Sequence, residues 1–308
     1  MPNSTRNRLT AGPKGRAKRR RRRVRMVIDR HVPGVLVLSS WNRTNRIDLV
    51  GCGGTGSRLA ELLCRMIVGF GMQGVTVRLW DGDIVTAANI ARQSFEPCEI
   101  GQNKAQALAL RLSGRFAMEV LAIGRNLDDA AKVVQEGSGL FGGLVITATD
   151  NIASRRYVAR SYSGWWLDVG NELSTGQAVL GCTHYPRVLA RVDRYWGQHM
   201  NEAGDCHQVD ILPDLPGVNP ALMTSRKGGP AGPSCAAMPF SVQGFGVNDY
   251  AAMAAASLVK GLVVDGRLEY GAVFFDAAAG RMTPRPITRD WYRLGRQEAK
   301  GKRQGGQP

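Results

Sequence analysis

Ile47-Asp48-Leu49-Val50-Gly51-Cys52-Gly53-Gly54-Thr55-Gly56-Ser57 reads as a short apolar strand that stops on a glycine cluster and opens a helix. The helix signal follows at once, with Leu59, Leu62, Leu63, Met66 and Ile67 at helical spacing within Ser57 to Val68. The glycines have the G-x-G-x-x-G spacing. Gly51 permits a tight turn, Gly53 lets the backbone approach a phosphate, and Gly56 allows close helix–strand packing. The helix N-terminus then offers N–H donors and a positive dipole end to an anion. Alone, the loop does not separate a dinucleotide from ATP. Cys52, inside it, reads as a small buried side chain.

Working outward, strands and helices alternate. Strands are expected over Val75 to Trp80, Met118 to Ile123 and Leu144 to Ala148, and helices over residues 103–113 and Leu127 to Glu136. That rhythm predicts parallel βαβ units. The second half differs. Trp166 to Val169 and Gln177 to Leu180 read as strands, residues 183–240 as an irregular Pro/Gly-rich stretch, and Gln243 to Val264 as containing an Ala-rich helix. Ala272 to Phe275 and a closing strand before Pro284 read as antiparallel.

Polar residues gather after the loop. Asp81 and Asp83, at the end of the second strand, are placed to accept ribose hydroxyls. Asn89, Arg92, Gln93 and Lys104 come next, and Asp150-Asn151 closes the fourth strand. Arg clamps phosphate oxygens in bidentate fashion and Lys supplies a point charge, a set that suits a triphosphate. A carboxylate at the C-terminal edge of a parallel sheet is a natural Mg²⁺ ligand, which points to Asp150. Each residue alone also reads as a surface charge or a cap, Asp150-Asn151 as a helix N-cap. A nicotinamide-dependent dehydrogenase would leave Asn89, Arg92, Lys104 and Asp150 without a task.

The series G-x-G-G-x-G, D-x-D, N-x-x-R-Q, G-x-x-K and T-D-N resembles the ThiF/MoeB/HesA superfamily, relatives of the ubiquitin-activating enzymes, over roughly residues 46–285. Leu167-Asp168-Val169-Gly170-Asn171, Gly176-Gln177 and Pro233-Ser234-Cys235 make it most similar to the ThiF-like proteins of the PRTRC system. The resemblance implies a Rossmann-like α/β adenylation fold, a parallel βαβ half followed by an antiparallel-containing half. It implies ATP and Mg²⁺ as cofactors and a homodimer. The implied reaction adenylates the C-terminal carboxylate of a ubiquitin-like or sulfur-carrier protein. Under it, Gly51, Gly53, Gly54 and Gly56 hug the phosphates and Asp81 holds the ribose. Asn89, Arg92 and Gln93 orient the phosphates, Lys104 neutralises the leaving pyrophosphate and Asp150 holds Mg²⁺. Cys235, just before the Ala-rich helix, is the candidate acyl acceptor, with an inert structural thiol as the equal alternative. Arg226 and Lys227 are the nearby cations in sequence.

The chain departs from the family in three ways, one being a loop after Tyr185 unlike that of the better-known members. It has no C-x-x-C pair, and Cys182-x-His184, Cys206-His207 and Cys235 are poorly spaced for zinc, so no zinc is expected. The family's N-terminal R-Y-x-R-Q stretch, which lends an arginine to the partner subunit, is missing; Arg43 and Arg46 are the candidates to replace it. Other substrates for the same chemistry (a small molecule, a peptide or a modified tRNA base) stay open, as does a nucleotide-binding scaffold.

Charge is unevenly distributed. Of the net +16, residues 1–46 hold fourteen Lys/Arg against the single acid Asp29, so the remainder is nearly neutral. Residues 1–30 are expected to form a disordered basic tail, 31–285 a ThiF-like adenylation domain with halves 46–151 and 152–285, and 286–308 a second basic tail. Residues 14–25 read as a nucleic-acid contact, as a solvated tail without a partner, or as sequence upstream of a true start at Met26. Hydrophobic residues at 44% exclude wholesale disorder. No uncharged apolar run approaches the roughly 18 residues of a membrane-spanning helix. Six irregularly spaced cysteines point away from a disulfide framework and toward a reduced, cytoplasmic protein.

Overall fold

The computed structural model describes residues 34–37, 46–72, 74–127, 143–162, 164–183, 207–209, 212–213, 215–218, 244–288 and 291. Strand β1 (Gly34–Val37) precedes β2 (Arg46–Val50), helix α1 (Gly54–Gly69), β3 (Thr76–Trp80), α2 (Ala87–Ile90), α3 (Lys104–Phe116) and β4 (Val120–Ile123). Then come β5 (Leu144–Thr147), α4 (Ile152–Ser161), β6 (Trp165–Asn171) and β7 (Thr175–Cys182). The C-terminal part holds β8 (His207–Val209), α5 (Leu215–Val218), α6 (Val247–Val259), β9 (Arg267–Leu268), β10 (Tyr270–Asp276) and β11 (Arg281–Pro286).

Eight strands form one sheet in the order β11-β10-β7-β6-β5-β2-β3-β4. The five from β6 to β4 are parallel, and β7, β10 and β11 are antiparallel to their neighbours. The expected parallel half followed by an antiparallel-containing half is therefore what forms. Strand order reverses at β2: β3 lies on one side and β5 on the other. Ligands of open α/β sheets bind outside the strand ends at such a switch point. Here the loops after β2 and β5 carry the glycine cluster and Asp150 to it. A second sheet, β8-β1-β9, joins β1 in parallel to β8 and antiparallel to β9.

The core explains the apolar runs. Leu49, Val77, Leu79, Leu144, Ile146 and Leu167 are buried in the central strands, and Leu59 and Leu63 of α1 with Leu258 of α6 lie among the buried core. Helix α1 packs on α3, α6, β2 and β3, while α6 also packs on β6, β7 and β10. The segment Val247–Val264 is long and apolar enough by length and composition to cross a membrane, and 61% of it is buried in this protein. It carries Asp249 and Lys260, so the absence of an 18-residue uncharged run still holds. Its role in the described fold is that of a core helix.

Element ends differ from expectation for local reasons. Helix α1 starts at Gly54 rather than Ser57: Ser57 N–H donates to Gly53 O at 3.0 Å, and two glycines of low helix propensity in the first turn hide that start from the apolar pattern. Helix α3 runs on to Phe116 and stops where Ala117 adopts a left-handed conformation (φ 49°), which delays β4 to Val120. The Ala-rich helix ends at Val259 and continues as a π-helical turn over Lys260–Val264. The closing strand passes through Pro284 to Pro286. It is tolerated there because β11 is an edge strand that needs hydrogen bonds on one side only. Of the helix expected over Leu127 to Glu136, only Leu127 is among the described residues. The same limit applies to most of 183–240 and to both basic tails.

Two carboxylates are buried in the parallel strands. Asp48 of β2 accepts from Arg78 Nε at 2.5 Å, Trp80 Nε1 at 2.8 Å and Arg46 Nε at 3.0 Å. Arg46 is thereby committed to Asp48, whereas its replacement candidate Arg43 lies outside the described residues. Asp168 of β6 accepts from Arg155 Nε of α4 at 2.8 Å and from Thr147 Oγ1 of β5 at 2.6 Å. Burial pushes the Asp168 carboxyl up, against the pull of the Arg155 guanidinium and the Thr147 hydroxyl.

Candidate active site

The loop after β2 has the conformation its glycines predict. Gly51 sits at φ +94°, where a side chain is strained, and its N–H donates to Trp80 O at 2.8 Å. A Cβ on Gly56 would lie 1.8 Å from Gly51 O. Around Gly53 such a Cβ meets nothing within 4 Å, so the backbone there is open to a ligand. Gly56→Ala is expected to lower stability by about 3 kcal/mol, the upper end for overpacking, read as the urea midpoint.

Asp81 closes the loop from below. Its Oδ2 accepts from Cys52 N–H at 2.6 Å and its Oδ1 from Asp83 N–H at 2.8 Å. Burial raises the Asp81 carboxyl above the usual range; these two N–H groups and the Lys104 charge oppose that, while Asp83 adds to it. Both oxygens keep lone pairs for hydroxyl donors. The Cys52 thiol is fully buried and raised well above its ordinary value by burial and by Asp81, which makes it a packing residue.

The turn after α2 is held at four points. Asn89, 3% exposed, completes a capping box with Thr86 and accepts Arg92 N–H and Gln93 N–H on its carbonyl. Arg58 Nη1 of α1 donates to both Gly54 O and Arg92 O at 2.8 Å, and Ser94 N–H donates to Ser57 Oγ. The fourth brace is Arg111, whose guanidinium bonds Glu99 and Ser94 O. These ties seat Arg92 and Gln93 beside the first turn of α1, and both side chains are buried. The Gln93 Oε1 atom is buried without a hydrogen-bond partner among the described residues. A donor-bearing ligand or water would satisfy it.

Lys104 is the most informative residue. It is 4% exposed and occupies the first turn of α3, where the helix dipole disfavours a cation. Its Nζ bonds Asp83 Oδ2 at 2.8 Å, and Asp83 is itself largely exposed. Asn103 N-caps α3 through Gln106 N–H and donates to Asp81 O and Asp83 O, tying the two acids to that helix. A buried cation held against a helix dipole marks Lys104 as a candidate for contact with an anion.

Asp150 is exposed at the end of β5, and Asn151 beside it is the N-cap of α4, accepting from Ala153 N–H at 2.8 Å. The capping role expected for Asp150-Asn151 therefore belongs to Asn151. Asp150 fits a Mg²⁺ held by one carboxylate and the ligand's own phosphates. Among the described residues no cluster of three metal-binding side chains occurs. Cys235, Arg226, Lys227, His184 and Cys206 lie outside the described residues.

The structure adds residues that the sequence did not single out as a site. Asn171 Nδ2, at the end of β6, donates to Asn248 Oδ1 at 2.8 Å, and Thr55 Oγ1 donates to the same oxygen at 3.1 Å. Asp249 pairs with Arg58 at 2.8 Å. Thr55 and Asn248 are 193 positions apart, and only the packing of α6 on α1 brings them together.

The sheet order, the switch point and this loop define a Rossmann-like α/β fold with a glycine turn at the start of α1. Residues 31–180 match the ThiF family. The structure is similar to the crystal structure of E. coli MccB, with a TM-score of 0.52 and 16% identity over 81% of this chain and 64% of that one. Against E. coli MccB with MccA-N7isoASN the TM-score is 0.50, with 16% identity over 80% of this chain and 65% of that one. The chain thus spans less than two thirds of the length of these structures, and at this identity the likeness is one of fold. The sequence matches no curated protein.

Proposed function

We propose that this protein is an ATP-dependent adenylyltransferase. A carboxylate oxygen of the acyl substrate attacks the α-phosphorus of ATP. The bond from that phosphorus to the oxygen bridging the α- and β-phosphates breaks, giving an acyl-adenylate and pyrophosphate. The observation that carries this reading is Lys104, buried against a helix dipole beside a glycine loop. In this reading the loop N–H groups and the α1 dipole hold phosphate, and Asp81 with Asp83 accepts the ribose hydroxyls. Arg92 and Gln93 orient the phosphates, and Lys104 neutralises charge on the departing pyrophosphate. Catalysis is then positioning and charge stabilisation, with no protein nucleophile in the first step. Asp150 is the residue that would hold Mg²⁺, which supplies further neutralisation of the phosphates when bound.

For the substrate, the proposal is the C-terminal carboxylate of a ubiquitin-like or sulfur-carrier protein of a PRTRC-type cluster, used by a homodimer, with later attack of the deprotonated Cys235 thiol on the acyl carbon to form a thioester and release AMP. A second reading keeps the site and takes a carboxylate on a peptide, small molecule or tRNA. The fold shared with MccB, solved with MccA-N7isoASN, is what keeps it beside the first.

Pyrophosphate–ATP exchange with radiolabelled pyrophosphate tests the proposal, run with and without a small ubiquitin-like protein of a PRTRC-type cluster. Exchange dependent on that protein, reduced on the order of 10²–10³-fold in Asp150→Ala, is the expected result. Exchange only with a peptide or small carboxylate selects the second reading. ATP binding without exchange across these substrates leaves a nucleotide-binding scaffold and overturns the enzymatic assignment.

A further inference from the structure

We infer that Asn248 is a phosphate-binding residue, delivered to the glycine loop from the far end of the chain; the inference rests on the nucleotide site proposed above. Asn248 is the second residue of α6, and its carboxamide lies directly over Gly54. A Cβ on Gly54 would sit 2.6 Å from Asn248 Nδ2 and 2.9 Å from Oδ1, so any side chain at this position would displace the amide packed on it. The two ends of the amide have different surroundings. Oδ1 accepts from Asn171 Nδ2 at 2.8 Å and from Thr55 Oγ1 at 3.1 Å, which fixes the orientation of the group. Nδ2 donates to nothing among the described residues and lies beside Gly54 in the glycine turn, 2.6 Å from where a Cβ on that residue would sit.

A residue needed only to brace α6 against the loop would need only an acceptor, and Asp would provide one with the same shape. Asparagine provides that acceptor together with an NH₂ donor, and it keeps negative charge away from phosphate. Three elements are thus built around one donor: β6 through Asn171, α1 through Thr55 and α6 through Asn248. Their convergence adds a side-chain donor to the backbone donors of the loop. Hydrogen bonds to charged acceptors are the stronger kind.

The test is calorimetric titration of the full-length chain with ATP and with adenosine, for wild type, Asn248→Asp and Asn248→Ala, with a thermal midpoint for each. Asn248→Asp keeps both accepted hydrogen bonds, so its midpoint should match wild type. Its ATP affinity should fall at least as far as that of Asn248→Ala, roughly tenfold to a hundredfold, with adenosine affinity unchanged. Wild-type ATP affinity in Asn248→Asp overturns the inference and leaves the nucleotide site standing. An equal loss for ATP and adenosine also overturns it, since that reports a distorted loop. Should Asn248→Asp unfold, the ATP-to-adenosine contrast in Asn248→Ala decides alone. A wild-type chain that binds no ATP removes the nucleotide site and this inference together.

Discussion

Lys104→Met is expected to reduce pyrophosphate–ATP exchange on the order of 10²–10³-fold while leaving the thermal midpoint unchanged or higher. The two halves of that result come from one geometry. Methionine has nearly the same length and apolar stem, so packing in the first turn of α3 is kept. The substitution removes a buried cation from a helix N-terminus, where the dipole opposes it. What it forfeits is an ion pair of small worth with the exposed Asp83 and a charge that favours the ionised Asp81 carboxylate, which keeps its Cys52 and Asp83 N–H donors. If Lys104 serves a departing pyrophosphate, activity falls without cost to stability. A lowered midpoint with retained exchange would make it a structural residue and withdraw the observation on which the proposed function rests.

Arg155→Ala is expected to destabilise the fold by about 3–5 kcal/mol at neutral pH, measured by urea unfolding, because Asp168 is left as an uncompensated buried charge. Asp168 is 1% exposed, and Arg155 bonds both its oxygens, at 2.8 and 3.4 Å. Thr147 remains as a donor, itself engaged by Trp166 Nε1 at 2.8 Å. The pH dependence identifies the cause. Burial already raises this carboxyl, and loss of the guanidinium raises it further. An acid whose folded pKa lies above its unfolded value keeps its full stability contribution below the unfolded value and loses it as pH rises through the folded one. The deficit of Arg155→Ala against wild type should therefore shrink as pH falls from 7 towards about 4. A deficit equal at both ends of that window would assign the loss to packing of the arginine stem instead.

The candidate site was legible to the extent that its residues are local in sequence. The glycine loop announced its turn because only glycine takes φ +94° at Gly51 and only glycine fits at Gly56. Asp81, Asn89, Arg92, Gln93 and Lys104 follow within one βαβ unit, where each side chain is carried to the strand ends by the strand or turn before it. Their double duties were not legible. Asn89 caps α2 and Asp83 pairs Lys104, whereas the cap at Asn151 was expected, since short polar side chains satisfy nearby backbone donors in loops of this kind. Asp48 looked like one polar residue in an apolar strand. It is the centre of a buried cluster because β3 places Arg78 directly opposite it in register.

By itself the sequence determined the alternation of strands and helices, the parallel order they imply and the turn that opens α1. Hydrophobic period, glycine conformation and right-handed connections act over a few residues and leave a readable trace. Tertiary structure alone decided that β1 leaves the main sheet to pair with β8 and β9, and that β11 runs through two prolines at an edge. It alone decided that Asn171 and Asn248 meet Thr55 over Gly54. Such contacts are set by which faces remain to be buried once the core is packed, and residues 193 positions apart carry no local sign of them.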